Sequence, residues 1–282
     1  MFKPSVAAAA LLVAAAGSTA AAQPFAYKAG AQHYRLDQTV ATEQTVQGMA
    51  QSSTSSTAQF ISMELAPAAP GAPGLGVTFV IDSVVVLPAD SAAPASPMQA
   101  QVQMQAQDAA KALKGRRLTG TVTPLGRVQT LAVTDTVVPN AQQLANGFKA
   151  FLVPFPNASV KAGMTWTDTT TNEFKNMSGI DGTTKSIVTY TVVGDTTVGG
   201  QKAWKVEQKG TLTMTGAGAA QGTDVSLSGD GTVQGTVVVG QNGVYLGGDV
   251  EQTQSLKVEV PAASMTIPIT NNVTTKIRPI GS

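Results

Sequence analysis

The sequence predicts a mainly β protein, built as a large curved antiparallel sheet or half-barrel with two short covering helices. Apolar and polar residues alternate along most of its 282 residues, as in strands that have one buried face. The clearest case runs from Met265 to Ile277, where the apolar residues share odd positions. At about 3.3 Å per residue, this strand would be about 40 Å long. Strands of that length favour a large curved sheet over a compact sandwich.

The first 22 residues predict a secretory signal peptide. Lys3 precedes an apolar run over residues 6–16, and small residues follow up to Ala20-Ala21-Ala22. This order matches a signal peptide cleaved before Gln23. The alternative is an N-terminal membrane anchor, but the apolar run is shorter than the roughly 20 residues that a spanning helix needs. We therefore expect a periplasmic or secreted protein with no transmembrane segment after cleavage.

The predicted N-terminal β half covers residues 23–138 and opens with three strands. Alternation predicts a strand over 34–46, a polar turn over 48–56 and a second strand that contains residues 61–65. A third strand is predicted over 77–87. Its apolar second half, 84–87, predicts burial on both faces of the sheet.

A linker and a helix follow the third strand. Residues 88–97 are rich in Ala, Ser and Pro, which predicts a surface linker. Residues 98–114 then place apolar side chains on one helical stripe. The stripe predicts a helix that lies on the sheet, and its Met and Gln content leaves open a partner-binding face. Its members are Met98, Val102, Ala106, Ala109 and Leu113.

A hairpin ends the N-terminal half, and a connecting helix follows it. Residues 116–133 predict two strands joined by a turn at 124–126, where Pro and Gly supply ordinary turn chemistry. Residues 139–156 predict a short amphipathic helix that is terminated by two prolines. Its predicted apolar face comprises Leu144, Phe148, Phe151 and Leu152.

The predicted C-terminal β half covers residues 157–282. Val188, Tyr190 and Val192 alternate on one predicted strand face, and Trp204 shares parity with Val206 on another. Core packing or ligand stacking would each suit Trp166 and Trp204. The predicted connections between these strands are a turn over 194–200, a loop over 216–222 and an Asn-Gly hairpin turn over 241–243.

Two similar starts suggest that the halves are repeats. Lys28-Ala29-Gly30 precedes Tyr34, and Lys161-Ala162-Gly163 precedes Trp166. Each half then supplies long amphipathic strands. We treat a two-fold repeat as a hypothesis, because Gly- and Thr-rich strands resemble one another by chance.

Short motifs carry a family resemblance over most of the mature chain. A phenylalanine-rich helix and prolines precede Val160-Lys161-x-Gly163-x-x-Trp166, and Leu118–Val122 precedes Gly126-Arg127-Val128. This combination resembles an uncharacterised family of exported bacterial proteins, which is similar in pattern to the LolA/LolB-like lipoprotein-carrier fold. The resemblance implies a half-open antiparallel sheet with short helices over its concave face, where such carriers hold acyl chains. Many members of that fold are lipoproteins, whereas this chain has no cysteine for lipid attachment.

Residues that commonly carry catalysis are scarce. His33 is the single histidine and cysteine is absent, so the usual zinc spacings cannot form and any catalytic triad would depend on His33. We therefore predict no enzymatic activity, no metal and no cofactor. The net charge is +1, and Lys3 lies in the predicted signal peptide. The mature chain is therefore formally neutral, which does not favour nucleic-acid binding.

Two functions from different classes remain after these exclusions. The first is a non-enzymatic exported protein that binds a lipid-like or other hydrophobic small molecule in the concave face of its sheet. The second is a structural or interaction module of the bacterial cell envelope. The candidate ligand-binding residues for the first function are Leu144, Phe148, Phe151, Leu152, Trp166 and Trp204.

Overall fold

The computed structural model describes residues 25–46, 48–68, 74–87, 97–134, 141–177, 179–220 and 222–281. The predicted signal peptide and all of the predicted linker except Pro97 lie outside these ranges. Within them, eleven strands form one antiparallel sheet. The strands are β1 Gly30–Val46, β2 Met49–Pro67, β3 Leu75–Leu87, β4 Arg117–Val122, β5 Val128–Val133, β6 Thr165–Met177, β7 Ile180–Val198, β8 Gln201–Ala220, β9 Thr223–Gly240, β10 Tyr245–Val260 and β11 Met265–Ile280.

The first and the last described strand, β1 and β11, lie side by side at the middle of the sheet. Its strand order is β5-β4-β3-β2-β1-β11-β10-β9-β8-β7-β6. The first five strands step outward to one edge, and the last six strands step back from the opposite edge. β1 and β11 pair at the centre, with His33 opposite Ile280 and Val40 opposite Val273. The edges β5 and β6 do not pair, so the sheet is not closed into a barrel.

Side-chain parity divides the sheet into an inner and an outer face. Tyr34 on β1 stands opposite Ile61 on β2, which is fully buried like Tyr34 itself. Following this register across the sheet defines the inner face. The outer face carries charged side chains such as Lys205, Glu207 and Lys257. The alternation that predicts the strands therefore separates core residues from charged ones.

Most of the core lies at one end of the sheet, which we call the closed end. This end carries the β4–β5 turn and the β9–β10 turn, and the main cluster of buried apolar residues packs there. Tyr27 N–H donates to Pro124 O (2.7 Å), and Lys28 N–H donates to Gly243 O (3.1 Å). Residues 25–29 thus form a strap that joins both turns across the closed end. The long hairpins extend away from it toward the open end.

Two helices accompany the sheet, and each differs in part from its predicted form. α1 spans Pro97–Leu113, close to the predicted 98–114, and contacts β3 and β2. Its buried residue is Ala110, whereas Ala109 of the predicted stripe is exposed; the side chains of Met98 and Val102 lie outside the described residues. The predicted helix lying on the sheet is thus confirmed, with Leu113 of the predicted stripe packed against the core and Ala110 buried in place of Ala109.

α2 spans Ala141–Lys149, so the helix predicted within 139–156 is shorter than its apolar pattern. Phe151 and Leu152 lie beyond its end, yet both remain buried. Phe151 N–H donates to Phe148 O (3.1 Å), which ends the helix in a tighter turn. The prediction that all four residues share one helical face is therefore wrong, although all four join the same core.

The strands are longer than predicted, because several polar stretches belong to strands rather than turns. β2 already begins at Met49, β7 continues to Val198 and β8 continues to Ala220. The predicted turns over 48–56, 194–200 and 216–222 are therefore wrong over most of their length. Turns remain at the glycines that begin or end these ranges, which are Gly48, Gly199–Gly200 and Gly222. Gly194 marks a bulge in β7 instead. Small and polar residues can extend a strand when a neighbouring strand supplies hydrogen bonds, as β1 does for residues 49–55 and β8 for residues 194–198.

One strand is more exposed than predicted. Val85 of β3 retains 47% of its accessible surface, so the end of this strand is not buried on both faces. The predicted hairpins at 124–126 and 241–243 are confirmed by the β4–β5 and β9–β10 pairings. Both halves are meanders, but β4 and β5 have 6 residues each whereas β9 and β10 have 18 and 16. The two-fold repeat stays a hypothesis.

Candidate functional site

The six predicted ligand-binding residues come together at the closed end of the sheet. Phe148, Phe151 and Leu152 are buried there, with exposed fractions of 6%, 7% and 2%. Leu144, Trp166 and Trp204 are partly buried and pack against the same cluster. Sequence parity and helical spacing therefore predict that these residues belong together. The structure also shows which side chains surround these residues.

Aromatic rings fill the space around these residues. The Phe151 ring lies 5.3 Å from the rings of Tyr34 and Phe79, and 5.1 Å from that of Tyr245. The Trp204 ring lies 5.5 Å from that of Phe25 in the strap. Edge-on and tilted rings at these separations are the usual packing of aromatic side chains in protein cores. This part of the inner face is therefore occupied by the protein itself.

Trp166 is also held by a polar contact. Its Nε1–H donates to Pro154 O (2.7 Å), and its ring stacks on Tyr190 with centroids 5.4 Å apart. A buried indole needs a partner for its N–H group, and the crossing segment after α2 supplies one. In this arrangement Trp166 fastens that segment to β6.

Beyond the closed-end core, the described inner face of β8–β11 is open and uncharged. We call this surface the inner trough and define it by partly buried apolar residues of β8–β11. Gln208, Gln252 and Gln254 lie among them, and Gly231 and Gly235 leave the floor of β9 without side chains. The apolar residues of the trough are Leu212, Val233, Val250, Leu256, Val258, Ile267, Ile269 and Val273.

A small second cluster borders the trough at the open end. Phe174 of β6 extends over Gly182 of β7 and Gly216 of β8. Its cluster also contains Ile180 and Leu227, all of them buried. An aromatic ring that covers glycines on neighbouring strands compensates for their missing side chains. The trough thus runs between two packed clusters.

The unpaired edges β5 and β6 face each other across a gap that we call the seam. α2 lies in this gap and contacts both edges. Gln142 Nε2 and Asn146 Nδ2 donate to Glu173 O of β6, at 3.2 and 2.8 Å. Lys149 Nζ donates to Asn172 Oδ1 (3.2 Å). The helix therefore covers backbone groups of an edge strand that would otherwise invite pairing with another chain.

One ion pair joins the two sides of the seam. Arg127, which precedes β5, contacts the Asp168 carboxylate of β6 through its guanidinium group. Asp168 is 8% exposed, whereas the Arg127 side chain is 54% exposed. The Thr170 hydroxyl donates to the other carboxylate oxygen of Asp168 (3.3 Å). A buried carboxylate needs such partners, because burial without them strongly disfavours its charge.

The charge of Asp168 also acts on a buried tyrosine. Burial raises the pKa of Tyr190 above its ordinary value, the Asp168 carboxylate raises it further, and Arg127 opposes the shift. Along the described inner face between the two clusters, Asp168 is the one charged side chain. Its position therefore marks the seam as the polar part of this surface.

A cavity of about 300 Å³ opens beside this ion pair. Its walls come from the β4–β5 turn, the end of α2, β6 and β7. The polar side chains that line it include those of Arg127, Lys149, Asp168, Thr170, Asn172 and Ser186. We call it the seam cavity. Of the six predicted ligand-binding residues, Leu152 is the one that reaches its wall.

Sequence reasoning missed the seam, although one signal for it was present. Asp168 shares even parity with Trp166 and Phe174, which places a carboxylate on the face that is otherwise apolar. An inward charge in a strand predicts a partner. The identity of that partner, Arg127 on the opposite edge, follows only from the way the sheet curves.

His33 belongs to a polar chain on the outer face rather than to a triad. Ser62 Oγ lies 2.8 Å from His33 Nδ1 and donates to Asp82 Oδ2 (2.7 Å). In a serine triad the histidine lies between the serine and the carboxylate. Here the serine occupies the middle position, so its proton is directed to Asp82 and not to His33.

Among the described residues, no three His, Cys, Asp or Glu side chains converge on a site for a metal ion. No described helix is both long enough and apolar enough to cross a membrane.

The chain was also compared with known proteins. No model of a known protein family matches it, and no curated protein sequence matches it. The seam cavity and the inner trough are therefore interpreted from their own geometry and chemistry, and the likeness to lipoprotein carriers stays a prediction from the sequence.

Proposed function

We propose that this protein is an exported, non-enzymatic binding protein that holds the hydrocarbon part of a lipid-like molecule in its inner trough. The observation that carries this proposal is the uncharged inner face beyond the closed-end core. Leu212, Val233 and Ile269 are only partly buried there, on strands that extend well past the core. Partly exposed apolar side chains on a concave surface are typical of sites for hydrophobic ligands.

The energetics favour a hydrocarbon occupant. Each methylene group that leaves water contributes about 0.8 kcal/mol. A chain laid along the trough removes its own surface and that of residues such as Val250 and Leu256 from water. Gly231 and Gly235 of β9 project no side chains into the trough, and a Cβ atom at either position would overlap a carbonyl oxygen of β10.

The proposal places the ligand on different residues from those that the sequence suggested. Phe148, Phe151 and Leu152 pack within the closed-end core. We infer that they and the two tryptophans support the end of the trough, and that the chain of the ligand lies beyond them. Leu152, which borders the seam cavity, is the nearest of the six to this surface.

The position of the strap supports the export part of the proposal. Phe25 and Tyr27 are buried directly after the predicted cleavage site before Gln23. Cleavage at this site leaves the whole strap in the mature chain. A signal peptide that ends just before the first packed residue can be removed without loss of core contacts.

Binding of the neutral dye N-phenyl-1-naphthylamine tests this proposal. We expect dye fluorescence to rise on binding and a palmitoyl-glycerol competitor to reverse the rise. Leu212→Gln should weaken binding about ten-fold, because it places a polar group on the trough floor. Thr213→Gln is the matched control, since Thr213 lies next in β8 on the outer face.

Native mass spectrometry of protein purified from the periplasm or the medium gives an independent readout. A bound lipid-sized mass that is lost in Leu212→Gln supports the proposal. Absence of dye binding and of any bound mass would overturn it. The interaction module of the cell envelope would then be the remaining prediction, to be tested by isolating a stoichiometric partner and mapping its contacts.

A further inference from the structure

We propose that the seam cavity binds the anionic head group of an amphiphile, a phosphate or a carboxylate, whose hydrocarbon chain lies in the inner trough. This inference rests on the proposed function and adds to it the chemical class of the ligand. Three observations carry it: the charge of the cavity, the hydrogen-bond donors on its walls, and its continuity with the trough.

The charged side chains that line the seam cavity leave an excess of positive charge. Arg127 and Lys149 contribute two cations, and Asp168 contributes one carboxylate. Both carboxylate oxygens of Asp168 already have a partner, Arg127 for one and the Thr170 hydroxyl for the other. A guanidinium group has five N–H donors and an ammonium group has three, so donors remain after the contacts to Asp168 and Asn172. An anion is the ligand that this charge balance favours.

The edge strand β6 adds backbone donors to the cavity. Glu173 O accepts hydrogen bonds from α2, so the backbone groups of Glu173 point toward the seam. In an antiparallel pair, backbone direction alternates with each residue. Thr171 and Thr169, which line the cavity, therefore direct their N–H groups to the same side. Backbone N–H groups beside cations are a common way to hold phosphate and carboxylate oxygens.

The seam cavity joins the inner trough without a barrier of charge. Ser186 of β7 lines the cavity, and its neighbour across the ladder is Leu212 of β8. Leu212 stands opposite Gly231 of β9, which has no side chain that would project from the floor of the trough. A molecule with its anionic end near Lys149 can therefore extend its chain over Leu212 into the trough. A cavity of about 300 Å³ is at the lower limit for small ligands, which suits a head group.

Two probes that share one hydrocarbon chain test the proposal. Palmitoyl-glycerol phosphate and palmitoyl-glycerol differ only in the phosphate, and both can be titrated below micelle formation against the bound dye. We expect the phosphate form to bind about ten-fold more tightly to the wild-type protein, since hydrogen bonds to charged groups contribute about 1.5–3 kcal/mol. Added salt should reduce this preference, because cations at a half-exposed site are screened.

Lys149→Gln is the central variant. It removes one cation but keeps a polar side chain that can donate hydrogen bonds, so the fold should be kept; the midpoint of thermal unfolding checks this. We expect the preference for the phosphate form to fall to about two-fold or less in Lys149→Gln and to return in Lys149→Arg. The matched control is Lys185→Gln, which removes the same charge from the exposed outer face of β7.

The outcomes separate this inference from the proposed function. If both probes bind with equal affinity and Lys149→Gln changes neither affinity, the proposal of a head-group site is overturned, while the trough remains a binding surface. If neither probe binds, the proposed function fails and the head-group site with it. If inorganic phosphate alone competes as well as palmitoyl-glycerol phosphate, the cavity is a site for a free anion and the amphiphile is rejected. Should Lys149→Gln fail to fold, a preference in the wild type that salt does not reduce still overturns the inference.

Discussion

At the residue scale, every tyrosine of this protein is buried. The four are Tyr27, Tyr34, Tyr190 and Tyr245, and each has less than a tenth of its surface exposed. Tyr27 O–H donates to Val153 O (3.2 Å) and Tyr34 O–H donates to Tyr245 O (2.9 Å). Burial is the largest cause that raises the pKa of all four above their ordinary value. The neutral phenol is therefore favoured in the folded protein.

This burial predicts a single alkaline transition. A raised pKa in the folded state contributes stability that is complete below the unfolded tyrosine pKa of about 10 and is lost as pH rises above it. We expect no tyrosine to ionise with an ordinary pKa in the folded protein. Absorbance at the phenolate band and circular dichroism should change together in one steep step above pH 10. A gradual phenolate signal that precedes unfolding would contradict this expectation.

The Arg127–Asp168 ion pair makes a second prediction at this scale. Arg127→Gln leaves the carboxylate of Asp168 buried without its cation, so the free energy of unfolding should fall by about 2 kcal/mol. Adding Asp168→Asn removes the buried charge and should restore more than half of that loss. Arg35→Gln is the control, because Arg35 pairs with Asp37 on the exposed outer face. Its effect should stay within about 0.5 kcal/mol.

Urea denaturation of the wild-type protein and the three variants measures these differences. Equal losses for Arg127→Gln and Arg35→Gln would show that the seam pair contributes no more than a surface pair. A double variant that is less stable than Arg127→Gln would show that Asp168 is stabilised by contacts other than its ion pair.

At the element scale, glycines allow the strands of the C-terminal half to approach closely on the inner side. A Cβ atom added at Gly235 of β9 would overlap the carbonyl oxygen of Asp249 on β10. A similar overlap with Ile187 O would occur at Gly210 of β8. Glycine at such places lets a sheet curve where a side chain would hold the strands apart. The curvature of the trough thus depends on residues that have no side chain.

Gly235→Ala tests this role of glycine. Because the added methyl group has no space, we expect the free energy of unfolding to fall by about 2 kcal/mol, as in overpacked cores. Gly194→Ala is the control, since a Cβ atom at Gly194 meets no atom within 4 Å. It should be neutral or slightly stabilising, because alanine restricts the unfolded chain. Equal effects from both substitutions would contradict a steric role for Gly235.

The sequence allowed the strands to be predicted better than their ends. Parity placed Ile61, Val192 and Trp204 on the inner face because burial alternates along a strand. The polar stretches 48–56 and 216–222 were predicted as turns, since Ser, Thr and Gly favour turns locally. In the structure both mostly continue strands, because ladder hydrogen bonds from long neighbouring strands override local preference.

The candidate site was predictable only in part. Helical spacing and parity identified the six residues that meet at the closed end, but not whether they line a space or fill it. That depends on rings from distant segments, such as Phe25 and Tyr245, which pack against them. The seam depends on contact between Arg127, which precedes β5, and Asp168 of β6, and these two strands are the opposite edges of the sheet. Pairing across edges leaves no periodic signal in the sequence.

At the scale of the whole molecule, the strap makes a prediction about processing. If the signal peptide ends at Ala22, the exported protein begins at Gln23 and keeps Phe25 and Tyr27, which close the core. Intact-mass measurement of the exported protein should therefore show the loss of residues 1–22. A variant that starts at Lys28 should be markedly less stable, since it lacks both buried rings. Cleavage after Tyr27 in the native protein would contradict this view of the strap.

The pairing of β1 with β11 has a consequence for how the chain folds. These strands meet at the centre of the sheet although they stand at opposite ends of the described sequence, with His33 opposite Ile280. Their contact closes the longest loop in the fold. Such non-local contacts slow folding, because closing a long loop costs conformational entropy before the contacts can stabilise the chain. A circular permutant that joins the two ends with a short linker and opens the turn at Gly199–Gly200 would convert this pair into a hairpin. We expect it to fold faster than the natural chain and to reach the same sheet.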